Sequence, residues 1–150
     1  MMPLSQRKGA SLGLPERPTY RHPRPAGPTA DTVVKVLERD RGCCVVCGLP
    51  VLGERGWDWS VHHRRGRDGR PDSHTLANLI LVCGNDNQSG CHGIIHQRRS
   101  VARPNGWWLS RSAGEDPLTV PIRYQGRPDL VWLTATGISN QPPAPEGVAA

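Results

Sequence analysis

Phenylalanine is absent from this 150-residue chain, and aromatic residues of every kind make up only 5 % of it. Hydrophobic residues reach 36 %, which excludes a large aliphatic core. No apolar run approaches the roughly 18 residues needed to cross a bilayer, so no membrane partner is expected. The opening residues contain no continuous apolar stretch, so no secretory signal is visible and a cytoplasmic location is expected. Neither an internal repeat nor a sequence-reading module such as a helix-turn-helix or tandem fingers is present. Gly (17) and Pro (15) together exceed a fifth of the residues. A chain of one-domain length with so little apolar material needs staples, and Cys and His are the candidates.

The formal net charge is +6, and more than half of the excess lies in residues 1–28, which hold five Arg/Lys against one Glu. Six prolines and little apolar periodicity make this segment a disordered basic tail. Such a tail suits non-specific attraction to phosphate, or serves only as a solubilising linker. Residues 139–150 read as a second disordered tail. A core domain over 29–100 and a C-terminal β extension over 101–138 lie between them.

Within that core the spacing predicts a helix over Thr29–Arg41, capped by Thr29 or Asp31, with Val33, Val34, Val36 and Leu37 on its apolar stripe and Gly42 at its end. Cys43–Gly48 forms a compact knuckle. A short strand ends at Val61, Arg64–Ala77 is a polar loop, and Asn78–Val82 is a short apolar strand. Gly84–Gly90 is a loop, and a helix runs from Cys91 to Arg99. Trp107–Leu109, Thr119–Ile122 and Leu130–Thr134 read as two or three short antiparallel strands. The Trp107-Trp108 pair is either core for these strands or a base-stacking or partner surface. The expected class is α+β.

Five Cys without a secretion signal favour metal over disulfide. Cys44-x-x-Cys47 forms one pair and Cys83 with Cys91 the other, four thiolates suited to a tetrahedral structural zinc. Cys43 is left over, or replaces Cys44. Four of the six His fall in two pairs. His92 and His96 share one face of the expected helix. His62 and His63 are strand neighbours and so point to opposite sides. One of them can join a three-nitrogen metal site with an open position, and the other is left to act as a general base. His22 and His74 read as ordinary surface or core imidazoles.

The run Cys44-x-x-Cys47 … His62-His63 … Asn78-Leu79 … Cys83 … Cys91-His92-x-x-x-His96 resembles an HNH endonuclease of the ββα-metal (His-Me finger) type, especially the small phage and McrA-like members with a zinc knuckle. The match covers residues 32–97, and the stretch from Asn105 to Ile122 looks like the tail of many actinobacteriophage HNH proteins. The resemblance implies a small ββα-metal core stapled by zinc, acting as a metal-dependent DNA endonuclease that nicks or cuts with low sequence specificity. It makes His63 the general base, Asn78 the residue that braces and aims it, and His62, His92 and His96 the ligands of one divalent ion. That ion is Mg²⁺, Mn²⁺, Ni²⁺ or Zn²⁺, an all-imidazole set fitting the softer ions at least as well as Mg²⁺. Arg64, Arg65, Arg67 and Arg70 follow the base and are expected either to bind flanking phosphates or to form a solvated loop. DNA is the expected partner, and a terminase subunit is suggested by the phage relatives alone. The Cys83–Cys91 interval departs from the family pattern by being longer. The competing class is a non-catalytic zinc module that holds DNA or a protein, which accounts for the cysteines but not for the histidine pairs.

Overall fold

The computed structural model describes residues 26–67, 70–85 and 87–144. The basic tail expected over residues 1–28 lies outside the described residues up to position 25, as do His22 and the last six residues. The described chain is a small mixed α/β structure with three α-helices and two two-stranded antiparallel sheets.

Helix α1 spans Ala30–Arg39. Thr29 is its cap, accepting from the Thr32 N–H at 3.2 Å. Asp31 instead sits in the first turn, where it faces the positive end of the helix and pairs with Lys35 at 2.7 Å. Val33 and Val36 are buried beneath the helix, whereas Val34, expected on the same stripe, follows Val33 by about 100° around the axis and is exposed. Beyond Asp40 the chain reverses through left-handed Arg41 and Gly42 into the cysteine knuckle, with the Gly42 N–H closing on the Leu37 carbonyl at 2.8 Å.

Strands β1 (Trp59–His63) and β2 (Leu79–Cys83) pair antiparallel, Val61 opposite Leu81 and His62 opposite Ile80. The first strand therefore runs two residues beyond the expected end at Val61. The alternation of side chains divides the core in two. Val61, Leu79 and Leu81 pack with Val33 and Val36 under α1. Ile80 and Val82 face the other way, onto Ile95, Trp107, Ile122 and Leu133. Because β2 is covered on both faces, its sequence reads as an uninterrupted apolar run rather than an alternation.

The segment from Arg64 to Ala77, expected as a plain loop, carries two short 3-10 helices, Pro71–His74 and Leu76–Asn78. Helix α2 (Gly90–Gln97) stops at Arg98, and a separate turn of helix, α3 (Arg99–Ala102), follows. Of the expected C-terminal strands, Trp107–Leu109 is not a strand. Ile122 and Val131 make a single bridge, and β3 (Trp132–Leu133) pairs with β4 (Ile138–Ser139). Prolines at 117, 121 and 128 remove the N–H groups that a longer ladder would need. Ser139 belongs to β4 rather than to a tail.

Two buried polar clusters fasten the C-terminal segment to the rest. Arg39 donates to the Leu76 and Leu79 carbonyls and to Asp40. Asp40 accepts from the Leu81 N–H at 2.9 Å and from the Tyr124 hydroxyl at 2.7 Å. Burial drives the Tyr124 phenol well above its usual pKa, so the hydroxyl stays a donor. Arg64 is the second cluster. It is fully buried, and its guanidinium donates to the carbonyls of Gly106, Ala77, Pro117 and Val120 at 2.7–3.0 Å and to Pro121 at 3.5 Å. Burial lowers its pKa to about 10, which still leaves it charged near neutral pH. The expectation that Arg64 contacts phosphate is therefore corrected. Its donors are spent on the backbone of the C-terminal segment, and it clamps that segment to the end of β1. Among the described residues, no buried side-chain polar atom lacks a partner.

Candidate functional site

Cys44, Cys47, Cys83 and Cys91 place four sulfur atoms within 4.8 Å of one another. The knuckle is set against β2 by the hydrogen bond from the Val45 N–H to the Leu81 carbonyl at 2.9 Å. Its sharp turn is closed by the Gly48 N–H on the Cys44 carbonyl at 2.7 Å. The long interval between Cys83 and Cys91 is absorbed by an outward bulge pinched at its base. Gly84 and Gly90 both have positive φ, and a Cβ on either would collide with backbone, Gly84 with Ser89 and Gly90 with Cys83. That close approach lets the Cys91 N–H reach the Cys83 sulfur at 3.4 Å.

Sulfur ligands about 2.3 Å from a tetrahedral zinc lie roughly 3.8 Å apart, and Cys47 and Cys83 are 4.0 Å apart. The donor set therefore fits a structural zinc. Burial raises the thiol pKa of Cys44 to about 11 and pushes Cys91 up further. Burial would raise Cys47 too, but the Leu49 backbone N–H and the neighbouring thiols outweigh it and lower that group. A cation would remove the cost of holding four thiolates together, two of them, Cys44 and Cys91, buried. Cys43 does not join them, since its thiol points to the Arg41 carbonyl at 3.4 Å.

The second group is made of nitrogen. His62, His92 and His96 bring one ring nitrogen each within 4.8 Å of the others. The alternation of β1 puts Ser60 and His62 on the face covered by α2, and one turn of α2 separates His92 from His96. Partners assign the proton on two of the three rings. The His62 Nε2 meets the Trp107 carbonyl at 3.0 Å, so Nε2 carries hydrogen and Nδ1 keeps its lone pair. The Ser60 hydroxyl donates to the Gly84 carbonyl at 2.8 Å, so it accepts from His92 Nδ1 at 3.0 Å and leaves His92 Nε2 unprotonated. That atom lies 3.2 Å from His96 Nε2. Nitrogen ligands about 2.0–2.1 Å from a tetrahedral metal lie roughly 3.3 Å apart, so His92 and His96 are spaced as ligands are, with His62 within 4.8 Å of both. Burial, then the neighbouring His92 and His96, hold His62 far below its usual pKa, so it presents a lone pair at neutral pH. Burial and Arg99 lower His96 as well.

His63 points away from that group, as the strand alternation requires. Its Nε2 lies 3.0 Å from His74 Nδ1, and the Arg67 Nε–H approaches its Nδ1 at 3.5 Å. Arginine only donates, so His63 Nδ1 is the acceptor and its Nε2–H donates to His74. Burial, with Arg67 and His74 beside it, lowers the His63 pKa to about 3, which keeps the ring neutral. Asn78 is buried one strand away. Its Oδ1 accepts from the Arg65 N–H at 2.8 Å and its Nδ2 donates to the Ser73 carbonyl at 2.9 Å. It thus ties the chain just after His63 to the 3-10 turn that carries His74.

A cleft of about 290 Å³ is lined by His62, His63, His92 and His96 together with Arg67 and Asn87. None of the four clustered cysteines lines it. Of the other expected phosphate contacts, Arg65 pairs with Asp72 at 3.1 Å, Arg67 is exposed beside His63, and Arg70 lines a separate hollow with Arg65 and Arg111. Sequence reasoning passed over His74, Ser60 and Arg111, the last of which holds the carbonyls of Arg65 and Arg67 at 2.9 and 3.1 Å. His74 and Arg111 act through the turn geometry after β1, which no periodicity marks, whereas Ser60 shares the β1 alternation that places His62. No helix among the described residues is long and apolar enough to cross a membrane. Compared with known proteins, the chain matches no family model, no curated protein and no solved structure.

Proposed function

We propose that the chain is a metal-dependent endonuclease that hydrolyses DNA phosphodiester bonds, built on a ββα-metal core of the HNH type. One observation carries this reading: a neutral imidazole, His63, opens into the same cleft as a three-imidazole group. A binding module needs the cysteines but has no use for that juxtaposition.

In this reading Arg67 gives up its long hydrogen bond to His63 for a phosphate oxygen, and the freed His63 Nδ1 takes a proton from a water molecule. The water oxygen attacks phosphorus, the bond from phosphorus to the 3′ oxygen breaks, and solvent returns a proton to the leaving oxygen. The products are a 5′-phosphate and a 3′-hydroxyl. His74 accepts the His63 Nε2–H and fixes the ring, so that Nδ1 faces the cleft. Asn78 holds the backbone on both sides of that pair. A divalent ion held by His62, His92 and His96 would supply charge relief on the phosphate oxygens and the leaving oxygen. Arg67, beside the base, Arg65, two residues before Arg67 and paired with Asp72, and Arg70, farther along the same loop, offer positive charge to flanking phosphates.

The test is nicking of supercoiled plasmid by the wild type and by His63→Ala, with Mg²⁺, Mn²⁺, Ni²⁺, Zn²⁺ or EDTA. The expected result is metal-dependent cutting that EDTA and His63→Ala both abolish. A wild type inert with every ion that still shifts DNA in a gel would replace the enzyme with a binding module.

A further inference from the structure

The Trp107-Trp108 pair is divided by the fold. Trp107 is core: it is buried, and its indole N–H donates to the Arg123 carbonyl at 2.8 Å. Trp108 is half-buried at the surface. The indoles of Trp59 and Trp132 also spend their N–H groups on backbone carbonyls, whereas that of Trp108 makes no hydrogen bond among the described residues. The guanidinium of Arg99 lies over the Trp108 ring, 4.9 Å from its centre, and forms no ion pair among the described residues. Both residues border a hollow of about 520 Å³ with Ser100, Arg103 and Pro104. Arg103 is steadied at its edge by hydrogen bonds to Glu115 at 2.8 and 3.1 Å.

Two short stretches of chain connect this hollow to the histidine cleft. Arg99 follows His96 by three residues, at the start of α3. Trp108 follows Trp107, whose carbonyl holds the His62 ring at 3.0 Å. An unpaired cation, a ring with a spare donor and an open volume together suit one kind of ligand, an anion joined to a flat ring. Bases stack on indole and on guanidinium planes alike, and only an unpaired base exposes its face.

We propose that Trp108 and Arg99 seat one unpaired nucleotide beside the cleft, its base stacked on the indole–guanidinium pair and its phosphate on Arg99 with Arg103 at the edge. The inference deepens the nuclease reading and rests on it. It makes the favoured substrate a strand with unpaired residues next to the cut, such as a flap or a melted junction, rather than a blunt duplex.

The experiment uses the full zinc-loaded chain carrying His63→Ala, so that bound DNA is not cut. Fluorescence anisotropy measures affinity for a labelled single-stranded dodecamer and for a hairpin duplex of the same sequence. The single strand should bind more tightly. Trp108→Ala should weaken single-strand binding by roughly tenfold and duplex binding by less than about twofold. Trp108→Phe, which keeps a flat ring, should recover most of that loss. Arg99→Gln lies on the surface, tests the seat without touching the core, and should lower the salt dependence of binding by the equivalent of about one phosphate contact. Equal losses on both probes, no loss with Trp108→Ala, a preference for the duplex, or an unchanged salt slope in Arg99→Gln would overturn the seat. Plasmid nicking by the wild type is followed in parallel. Absent nicking with the binding pattern intact overturns the nuclease reading instead, and nicking with the pattern absent overturns the seat alone.

Discussion

Cys91 and His92 are neighbours on one helix, yet they belong to groups of opposite character. Cys91 turns into a cluster of four sulfurs that lies off the cleft, and His92 turns into a cluster of three nitrogens that lines it. The same scaffold serves both. Strand β2 ends in Cys83, β1 carries His62, and α2 supplies one or two donors to each group. Four donors complete a tetrahedral set and leave nothing for a substrate, so the sulfur group can only hold the chain together. Three donors beside open volume leave a position for an oxygen, so the nitrogen group can do chemistry. In the proposed reading, stability and reactivity are thereby separated by a single peptide bond.

The comparison breaks most visibly if the sulfur group is damaged. Cys83→Ser should abolish the cooperative melt followed by circular dichroism. Structural zinc contributes about 10–16 kcal/mol of apparent binding energy, at least as much as the roughly 5–15 kcal/mol net stability of an ordinary domain. A folded Cys83→Ser chain would show that the sulfurs are incidental. Damage to the nitrogen group should leave the fold and remove the activity. His96→Ala is expected to melt cooperatively, bind one ion fewer, and cut roughly a thousandfold more slowly, the equivalent of several kcal/mol of lost charge stabilisation. Loss of fold in this variant would erase the distinction between the groups.

The base sharpens the contrast because it should cost activity without costing metal. His63→Ala is expected to lose roughly a hundredfold or more in cutting while retaining both ions by elemental analysis. His74→Ala should lose about tenfold, the usual scale for a residue that orients another. His74→Asn, whose carboxamide oxygen can take the place of Nδ1 as acceptor, should restore most of that rate; failure of this rescue would reduce His74 to packing. The smallest effect belongs to Cys43→Ser. Its thiol faces the Arg41 carbonyl rather than the cluster, so zinc content should not change and stability should shift by less than about 0.5 kcal/mol.

Both donor sets could be read from the sequence because metal ligands announce themselves by residue type and spacing. The opposite facing of His62 and His63 followed from strand geometry alone. Helix α1 was legible through its cap and stripe, but the structure chose Thr29 over Asp31 as the cap and left Val34 exposed. What was hidden depended on the chain's path between elements. Arg64 sits in an arginine-rich run, and nothing local distinguishes it from Arg65 or Arg67. Its burial is decided by carbonyls more than forty residues away, at Gly106, Pro117 and Val120. His74 lies eleven residues past its partner, across a loop with no periodic signal. The C-terminal strands were over-read because apolar pairs flanked by proline suggest extended chain but cannot supply a ladder. Those residues contribute side chains to the common core instead.

The most direct test of the separation between the groups is to count bound metal and assay plasmid nicking on one sample, before and after dialysis against a mild chelator. The account predicts that one zinc stays, that the melt is unchanged, that nicking disappears, and that adding back a divalent ion restores it. If nicking survives with only the retained zinc, or if the fold is lost together with the first ion to leave, the assignment of structure to the sulfurs and chemistry to the nitrogens is contradicted.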